Sequence, residues 1–294
     1  MPDAGRVRVL GPGDEAAARA FFEAQPDTTL FFQNNVATAG LVDRGVAYSG
    51  TYAAAFDGDA IVAMAAHYWQ GNLILQAPCR LEEVTRAAIA ASGRPVSGLL
   101  GPWSQVEAAR AVFGLAAAPT TLDSPDQLFA VSLAGLRVPA LLARSDVRCR
   151  HPHEGELLRM IAWREDYAVA LLGQARGAEL AERSRGEILR NQEGGRNFVL
   201  EVAGELVAYS GYNAQTPRCV QIGGVWTPPA LRGRGYARAA VAGSLLAART
   251  RGVERSILFT GVENRAAQAA YRALGYERVG DYGLVLFAAS QPVG

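Results

Sequence analysis

The chain has 294 residues, half of them hydrophobic, with 29 lysines and arginines against 28 aspartates and glutamates and a net charge of +1. That length fits two domains, and the balanced charge excludes the basic surface of a nucleic-acid binder and the acidic arm of a disordered partner segment. Three cysteines (Cys79, Cys149, Cys219) and three histidines are too few and too scattered for a disulfide framework or a Cys/His metal site, so unpaired thiols and no metal are expected.

The start, Met1 to Arg6, has no basic stretch leading into an apolar run. No window reaches the ~18–20 uninterrupted apolar residues of a membrane span, so a cytoplasmic protein without a membrane partner is expected. Val7 to Leu10 reads as a short strand, Gly11 to Glu15 as a turn containing a proline, and Ala16 to Phe22 as an alanine-rich amphipathic helix. Tyr52 to Phe56 and Ile61 to Ala63, joined by Asp57-Gly58-Asp59, form a hairpin signal of apolar runs on either side of a glycine turn. Leu73 to Gln76 is a further strand. Gly101-Pro102-Trp103-Ser104 leads into a helix from Gln105 to Phe113, and Leu128 to Leu133 is the last apolar stretch of this half.

At an offset of 140 residues the opening pattern returns as the strand Val147 to Arg150, the turn His151-Pro152-His153 and the helix Leu157 to Trp163. Glu179 to Arg190 carries charges of both signs at helical spacing and reads as a solvated face. Phe198 to Val202, Ala203-Gly204-Glu205 and Leu206 to Ala208 repeat the hairpin. The shared order predicts an internal duplication. The expected architecture is two α+β (α/β) domains, residues 1–140 and 141–294, each a mixed, mostly antiparallel sheet flanked by helices, with the boundary near Arg137 to Asp146.

Residues 220 to 237 carry the strongest functional signal. Val220 to Thr227 is a strand, ended by Pro228 and Pro229, which cannot donate to a sheet ladder. Arg232-Gly233-Arg234-Gly235 is a tight loop. A helix from Tyr236 to Arg251 follows, with Ala237, Ala240, Val241, Leu245 and Ala248 on one stripe and Gly252 in the place of a capping glycine. The first amides of a helix lack partners and carry the positive end of its dipole. Glycines let a phosphate approach that backbone closely. The dinucleotide fingerprint and the nucleotide P-loop both fail, since the loop is G-x-G-x-A and no Gly-Lys-Ser/Thr is present there.

Arg232-x-x-Gly235-x-Ala237 resembles the acyl-CoA pyrophosphate loop of the GNAT N-acetyltransferase superfamily. The longer string Val-Trp-Thr-Pro-Pro-x-x-Arg-Gly-Arg-Gly-Tyr-Ala is similar to a bacterial branch of it. About 30 residues on, Ser256 to Thr260 reads as a strand, Asn264 as a helix N-cap, and Ala267, Ala270, Tyr271 and Leu274 as one helical face ended by Gly275. That segment resembles the second conserved GNAT stretch. The resemblance implies acetyl-CoA as cofactor, held by Val225, Trp226, Thr227, Arg232, Gly233, Arg234, Gly235, Tyr236, Ala237 and Arg238, with Asn264 near the pantetheine region. It also implies Tyr271 as the acid that protonates the leaving thiolate. Read without the resemblance, Tyr271 is a core tyrosine, and Trp226 either shapes an acceptor pocket or fills core.

Acyl transfer to an amine needs a held thioester, a deprotonated amine, an oxyanion donor and a proton for the thiolate. Many members of the family carry a glutamate on the strand before the loop, whereas Val220 to Trp226 has no carboxylate. Glu201, Glu263 and Asp281 are the candidates for a base, each more ordinary as a surface charge, and none is assigned. His67, His151 and His153 are read as packing or surface residues. In the first half, Cys79 to Val84 follows the strand Leu73 to Gln76 without paired glycines or an arginine loop, so no cofactor site is expected there. The expected function is transfer of an acetyl group to a primary amine of a small molecule or peptide through a ternary complex. The alternative is a sensor that binds acyl-CoA without chemistry.

Overall fold

The structure is a computed structural model that describes residues 6–293; the reading of Met1 to Gly5 lies outside the described residues. The chain divides into two compact units, one gathering the residues up to Gln127 with those from Gly280 onward, the other spanning Leu128–Val279.

The first unit opens with β1 (Val7–Val9), α1 (Glu15–Ala24) and α2 (Leu30–Ala39). The hairpin β2 (Gly50–Asp57) and β3 (Ala60–Tyr68) follows, then β4 (Asn72–Gln76), α3 (Leu81–Ser92), β5 (Val96–Pro102) and α4 (Trp103–Val112). The strands lie in the order β1-β2-β3-β4-β5, antiparallel except for β4 and β5, which α3 connects in parallel. One face packs Ala53, Ala65, Leu75 and Leu99 under Val84 and Ala88 of α3 and Val106 of α4. The other packs Tyr52, Ala54, Met64 and Tyr68 under Phe21 and Phe22 of α1 and Phe32 of α2.

A long strand, β6 (Thr120–Ser132), leads into the second unit. There follow β7 (Val147–Arg150), α5 (Leu157–Leu172), α6 (Ala178–Glu193), the hairpin β8 (Asn197–Val202) and β9 (Glu205–Gln215), β10 (Cys219–Trp226), α7 (Tyr236–Thr250), β11 (Arg255–Thr260), α8 (Arg265–Ala273) and β12 (Glu277–Gln291). The order is β11-β10-β9-β8-β7, again antiparallel except for one parallel pair, β10 and β11, joined by α7. Val241 and Leu245 of α7 cover Tyr212, Val220 and Ile222 on one face. Met160 and Ile161 of α5 and Ile188 of α6 cover Val199, Tyr209 and Trp226 on the other. Where α7 crosses β7, Gly243 meets Cys149 so closely that any β-carbon there would overlap it. The two units repeat one order of elements, each an α/β unit with a mixed, mostly antiparallel sheet.

The boundary differs from the one expected near residues 137–146. Phe129, Val131 and Leu133, read as the end of the first half, pack with Val241 and Leu245 of α7 in the second unit. Conversely, the end of the chain returns to the first unit. There β12 pairs antiparallel with β5 from Tyr282↔Pro102 to Leu286↔Gly98, and Val285 and Phe287 enter that unit's core. An apolar run does not say which sheet it joins, so the sequence pattern could not show this exchange. Among the described residues no helix is long and apolar enough to cross a membrane, and no group of three or more His, Cys, Asp or Glu could hold a metal ion.

Candidate active site

The site is built on β10. Its parallel pairing with β11 stops at Ile222↔Leu258, although both strands continue. On the other side, the register with β9 runs from Gly223↔Gly211 to Trp226↔Tyr209, three steps against two, which marks a bulge. Gly224 supplies the extra residue at φ +62°, a backbone state that L side chains rarely take. The bulge turns β10 away from β11, and residues 223–226 face β11 with no ladder partner on it. Two buried polar atoms stand without a hydrogen-bond partner at this strand end: Trp226 Nε1 and Thr227 Oγ1.

Past the strand, Pro229–Leu231 make one 3-10 turn, and the loop enters α7 through Gly233 and Gly235, both at φ +77°. A β-carbon on Gly233 would meet nothing within 4 Å, and one on Gly235 only the tip of Arg238 at 3.8 Å, so the space in front of the loop is open. The first helical bond is Ala239 N→Gly235 O at 3.0 Å. The amides of Tyr236, Ala237 and Arg238 precede it at the positive end of the helix dipole. Arg232, Arg234 and Arg238 are exposed around them, while Tyr236 and Ala237 are half-buried. From Cys219 to Val253 the chain has five arginines and no carboxylate. Arg232 does more than add charge: its Nε donates to Thr227 O at 3.0 Å and its guanidinium lies 4.8 Å from the centre of the Trp226 ring. It therefore ties the loop back to the strand end. An open glycine cradle, free helix amides, clustered arginines and a splayed strand end fit a pyrophosphate with an extended arm running between β10 and β11.

The second motif lies on α8. Asn264 caps α8, its Oδ1 accepting from Ala267 N at 3.2 Å, which leaves its Nδ2 donors outside the cap. Tyr271, two turns on, is half-buried with its ring 5.8 Å from that of Tyr276. Burial, with the nearby Tyr167 phenol adding to it, raises the Tyr271 hydroxyl well above its ordinary pKa. Tyr167, from α5, in turn sets its ring edge-on to Trp226 at 6.4 Å. Thus Tyr271 and the strand end meet across Tyr167, a residue that sequence reasoning did not single out. A tyrosine within an amphipathic helix carries no local signal.

The remaining candidates lie elsewhere. Glu201 accepts from Arg150 at 2.6 Å, and the same guanidinium binds Glu156 at 2.7 Å, so Glu201 belongs to an ion-pair cluster between β7 and β8. Glu263 is exposed in the turn before α8, and Asp281 is exposed on β12, in the part of the chain that belongs to the first unit. His67 is fully buried, hydrogen-bonded to Ser92 Oγ at 2.7 Å and Gly71 O at 3.2 Å. His151 bonds Asn197 O at 2.8 Å and packs on Phe198, and the backbone of His153 binds Glu156.

The first unit has the same strand-helix-strand frame without the cradle. Arg80 enters α3 in a left-handed conformation with no glycine pair before it. At the end of β4, the Ala77 amide donates at 2.7 Å to Gln105 Oε1 of α4. The chain's own side chain thus holds the backbone group at this strand end.

A family model described as the acetyltransferase (GNAT) family matches residues 157–276. No curated protein matches the chain in sequence. Among solved structures, a Drosophila protein aligns over 95% of this chain and 98% of its own at 14% identity, with a TM-score of 0.64. A GCN5-related N-acetyltransferase from Sphaerobacter thermophilus aligns over 99% of both chains at 16% identity and a TM-score of 0.58. A tandem GNAT protein from the clavulanic acid biosynthesis pathway aligns over 99% of this chain and all of its own at 14% identity and 0.54. The likeness to these structures shows the fold, and the family match covers the bulged strand, the arginine-glycine loop and the Asn264 helix together. Residues 157–276, which carry all three features, are thus similar to the acetyltransferase (GNAT) family.

Proposed function

We propose that the chain is an acetyl-CoA-dependent N-acetyltransferase acting on a primary amine of a small molecule or peptide, by direct transfer within a ternary complex. The observation that carries this reading is the presence, in one unit, of an open glycine-arginine cradle, a splayed strand end and a tyrosine, Tyr271, close to the Tyr167 that packs on that strand end. When bound, acetyl-CoA would supply the acyl group as an activated thioester. The amides of Tyr236, Ala237 and Arg238, with Arg234 and Arg238, would hold its pyrophosphate. The backbone of Val225 to Thr227 and the Asn264 amide would position the arm, and an amide of that strand end would face the thioester oxygen. An oxyanion donor of this type is worth roughly 2.7–4 kcal/mol in other enzymes.

Tyr271 would hold a proton for the departing sulfur. A phenol raised above its ordinary pKa stays protonated at neutral pH, which is the state an acid needs. With no carboxylate on β10, the amine would enter as the free base or lose its proton to water. That same lack keeps one second reading in view, a sensor that binds acyl-CoA without chemistry. Calorimetric titration with acetyl-CoA, alongside thiol release against a panel of amines, separates the two. One site per chain with thiol release for some amines is the expected result. Tight binding with no release on any amine would favour the sensor, and no binding would overturn both.

A further inference from the structure

On the side of the second unit's sheet away from α7 lies a row of aromatic and cationic groups. The Trp226 ring stands edge-on to Tyr167 at 6.4 Å, and the guanidinium of Arg164, one turn earlier on α5, lies 5.0 Å from the centre of the Tyr167 ring. Arg164 Nε donates to Glu187 Oε1 of α6 at 2.7 Å. That single bond uses one corner of a planar fork built for two, and Arg164 Nη1 is buried with no partner. Burial works against the charge of Arg164, but the hydrogen bond and charge of Glu187, with the Tyr167 and Tyr209 phenols, together outweigh it, so the cation persists.

Two more buried polar atoms on this face are unmatched. Tyr212 and Ile222 pack on α7, so by alternation Gln221 points to the α5 and α6 side, where Trp226 also lies. Gln221 is 1% exposed and Trp226 4% exposed, yet Gln221 Oε1 and Trp226 Nε1 have no hydrogen-bond partner. A buried polar group left without a partner is costly, and three stand on one face beside β10. Arg164 Nη1 and Trp226 Nε1 are donors that suit a carboxylate, and Gln221 Oε1 is an acceptor that suits an amine N–H.

Building on the acetyltransferase reading, we propose that the acceptor is an amino carboxylate, its carboxylate held by Arg164 one aromatic ring away from the reacting amine, with Tyr167 as the wall between them. A purely cationic acceptor such as a polyamine would leave Arg164 unmatched and would face its charge.

The test compares matched pairs: each α-amino acid, and straight-chain ω-amino acids of three to six carbons, against the corresponding amides, by thiol release from acetyl-CoA. Polyamines and short peptides are run in parallel. The expected result is at least about a tenfold preference in kcat/KM for the acid of one or more pairs, carried mainly by KM, as for a site built around one hydrogen-bonded group. Arg164→Gln should bring the acid and its amide to equal rates, Arg164→Lys should restore part of the preference, and Arg159→Gln on the exposed side of α5 should leave it intact. If Arg164→Gln fails to fold, the wild-type pairs and Arg164→Lys still decide. Equal use of acids and amides by the wild type, turnover confined to polyamines or to amines lacking a carboxylate, or a preference that survives Arg164→Gln would overturn the assignment of Arg164 and leave the acetyltransferase reading standing. No thiol release from any amine would instead remove that reading, and this one with it.

Discussion

Replacing Gly235 with aspartate separates the binding role of the loop from its role in the fold. Gly235 is the N-cap of α7 at φ +77°, and a side chain there projects into open space in front of the amides of Tyr236 to Arg238. Two stability effects oppose each other. The left-handed backbone costs a non-glycine residue roughly 1–2 kcal/mol, less for aspartate, which tolerates it. A carboxylate at a helix N-terminus gives back about 0.5–1 kcal/mol. The net change is within about 1 kcal/mol, or roughly 2–4 °C in Tm for a unit of this size.

Binding has no such compensation. At ~6 Å, each phosphate charge repels the new carboxylate by about 0.7 kcal/mol in water and about 3 kcal/mol at an effective dielectric near 20. The two pyrophosphate charges together therefore lower affinity at least about tenfold. The assay is calorimetric titration with CoA beside thermal unfolding, repeated at high salt, where part of the loss should be recovered. Gly252→Asp is the control: it sits past the other end of the same helix at φ +87°, also in open space, and should lower Tm without changing the CoA dissociation constant. A folded Gly235→Asp protein that binds CoA within about twofold of wild type would refute the loop assignment, because the carboxylate would then stand where the phosphates do not.

Tyr271→Phe should lower kcat by about 100-fold, within the range for a lost general acid, with CoA affinity unchanged; and because burial raises the wild-type phenol, kcat should show no falling limb up to pH 10. An unchanged kcat in Tyr271→Phe would remove it as the acid. His67 gives a stability prediction. Burial, with Arg94 adding to it, lowers its folded pKa below the ordinary 6.5, so the unfolded chain takes up the proton first. Stability should be full above about pH 6.5 and fall as pH drops below it, before the carboxylates of Asp43 and Glu156, both held more acidic by arginine partners, lose their share at lower pH. Urea unfolding of His67→Gln should show a flatter slope between pH 6.5 and 5; an identical slope would place the effect elsewhere. In the first unit, Gln105→Leu should destabilise by about 1–3 kcal/mol by leaving the Ala77 amide unmade, yet titration should still count one CoA per chain. A second site would show that Gln105 alone closes that groove.

What the sequence made legible was local. Asn264 as a cap and the hairpins around Gly58 and Gly204 are each set within a few residues, and each stands in the structure as read. The division of the chain was not legible, because it turns on which sheet edge accepts β12, and Tyr282 to Leu286 would suit either core equally well by pattern. The Gly223-Gly224 pair was visible, but its bulge shows only against the register with Gly211 and Tyr209.

The same limit governs the proposed acceptor wall. Arg164 and Tyr167, with Glu165 and Asp166 between them, lie on an ordinary amphipathic helix, and their spacing says no more than that they share a face. Their meaning comes from partners brought from α6 and β10: Glu187, which takes one corner of the guanidinium, and Trp226, which the bulge carries onto the α5 side of the sheet. One residue fewer in β10 would put Trp226 on the α7 face, breaking both its contact with Tyr167 and its stack with Arg232. Deleting Gly224 should therefore remove acceptor selectivity and thioester positioning together, while the loop from Gly233 to Arg238, fixed by its own helix, continues to bind CoA. Equal loss of CoA binding and turnover in that deletion would show instead that the loop depends on the bulged strand, and that the cradle and the wall form a single site that cannot be separated.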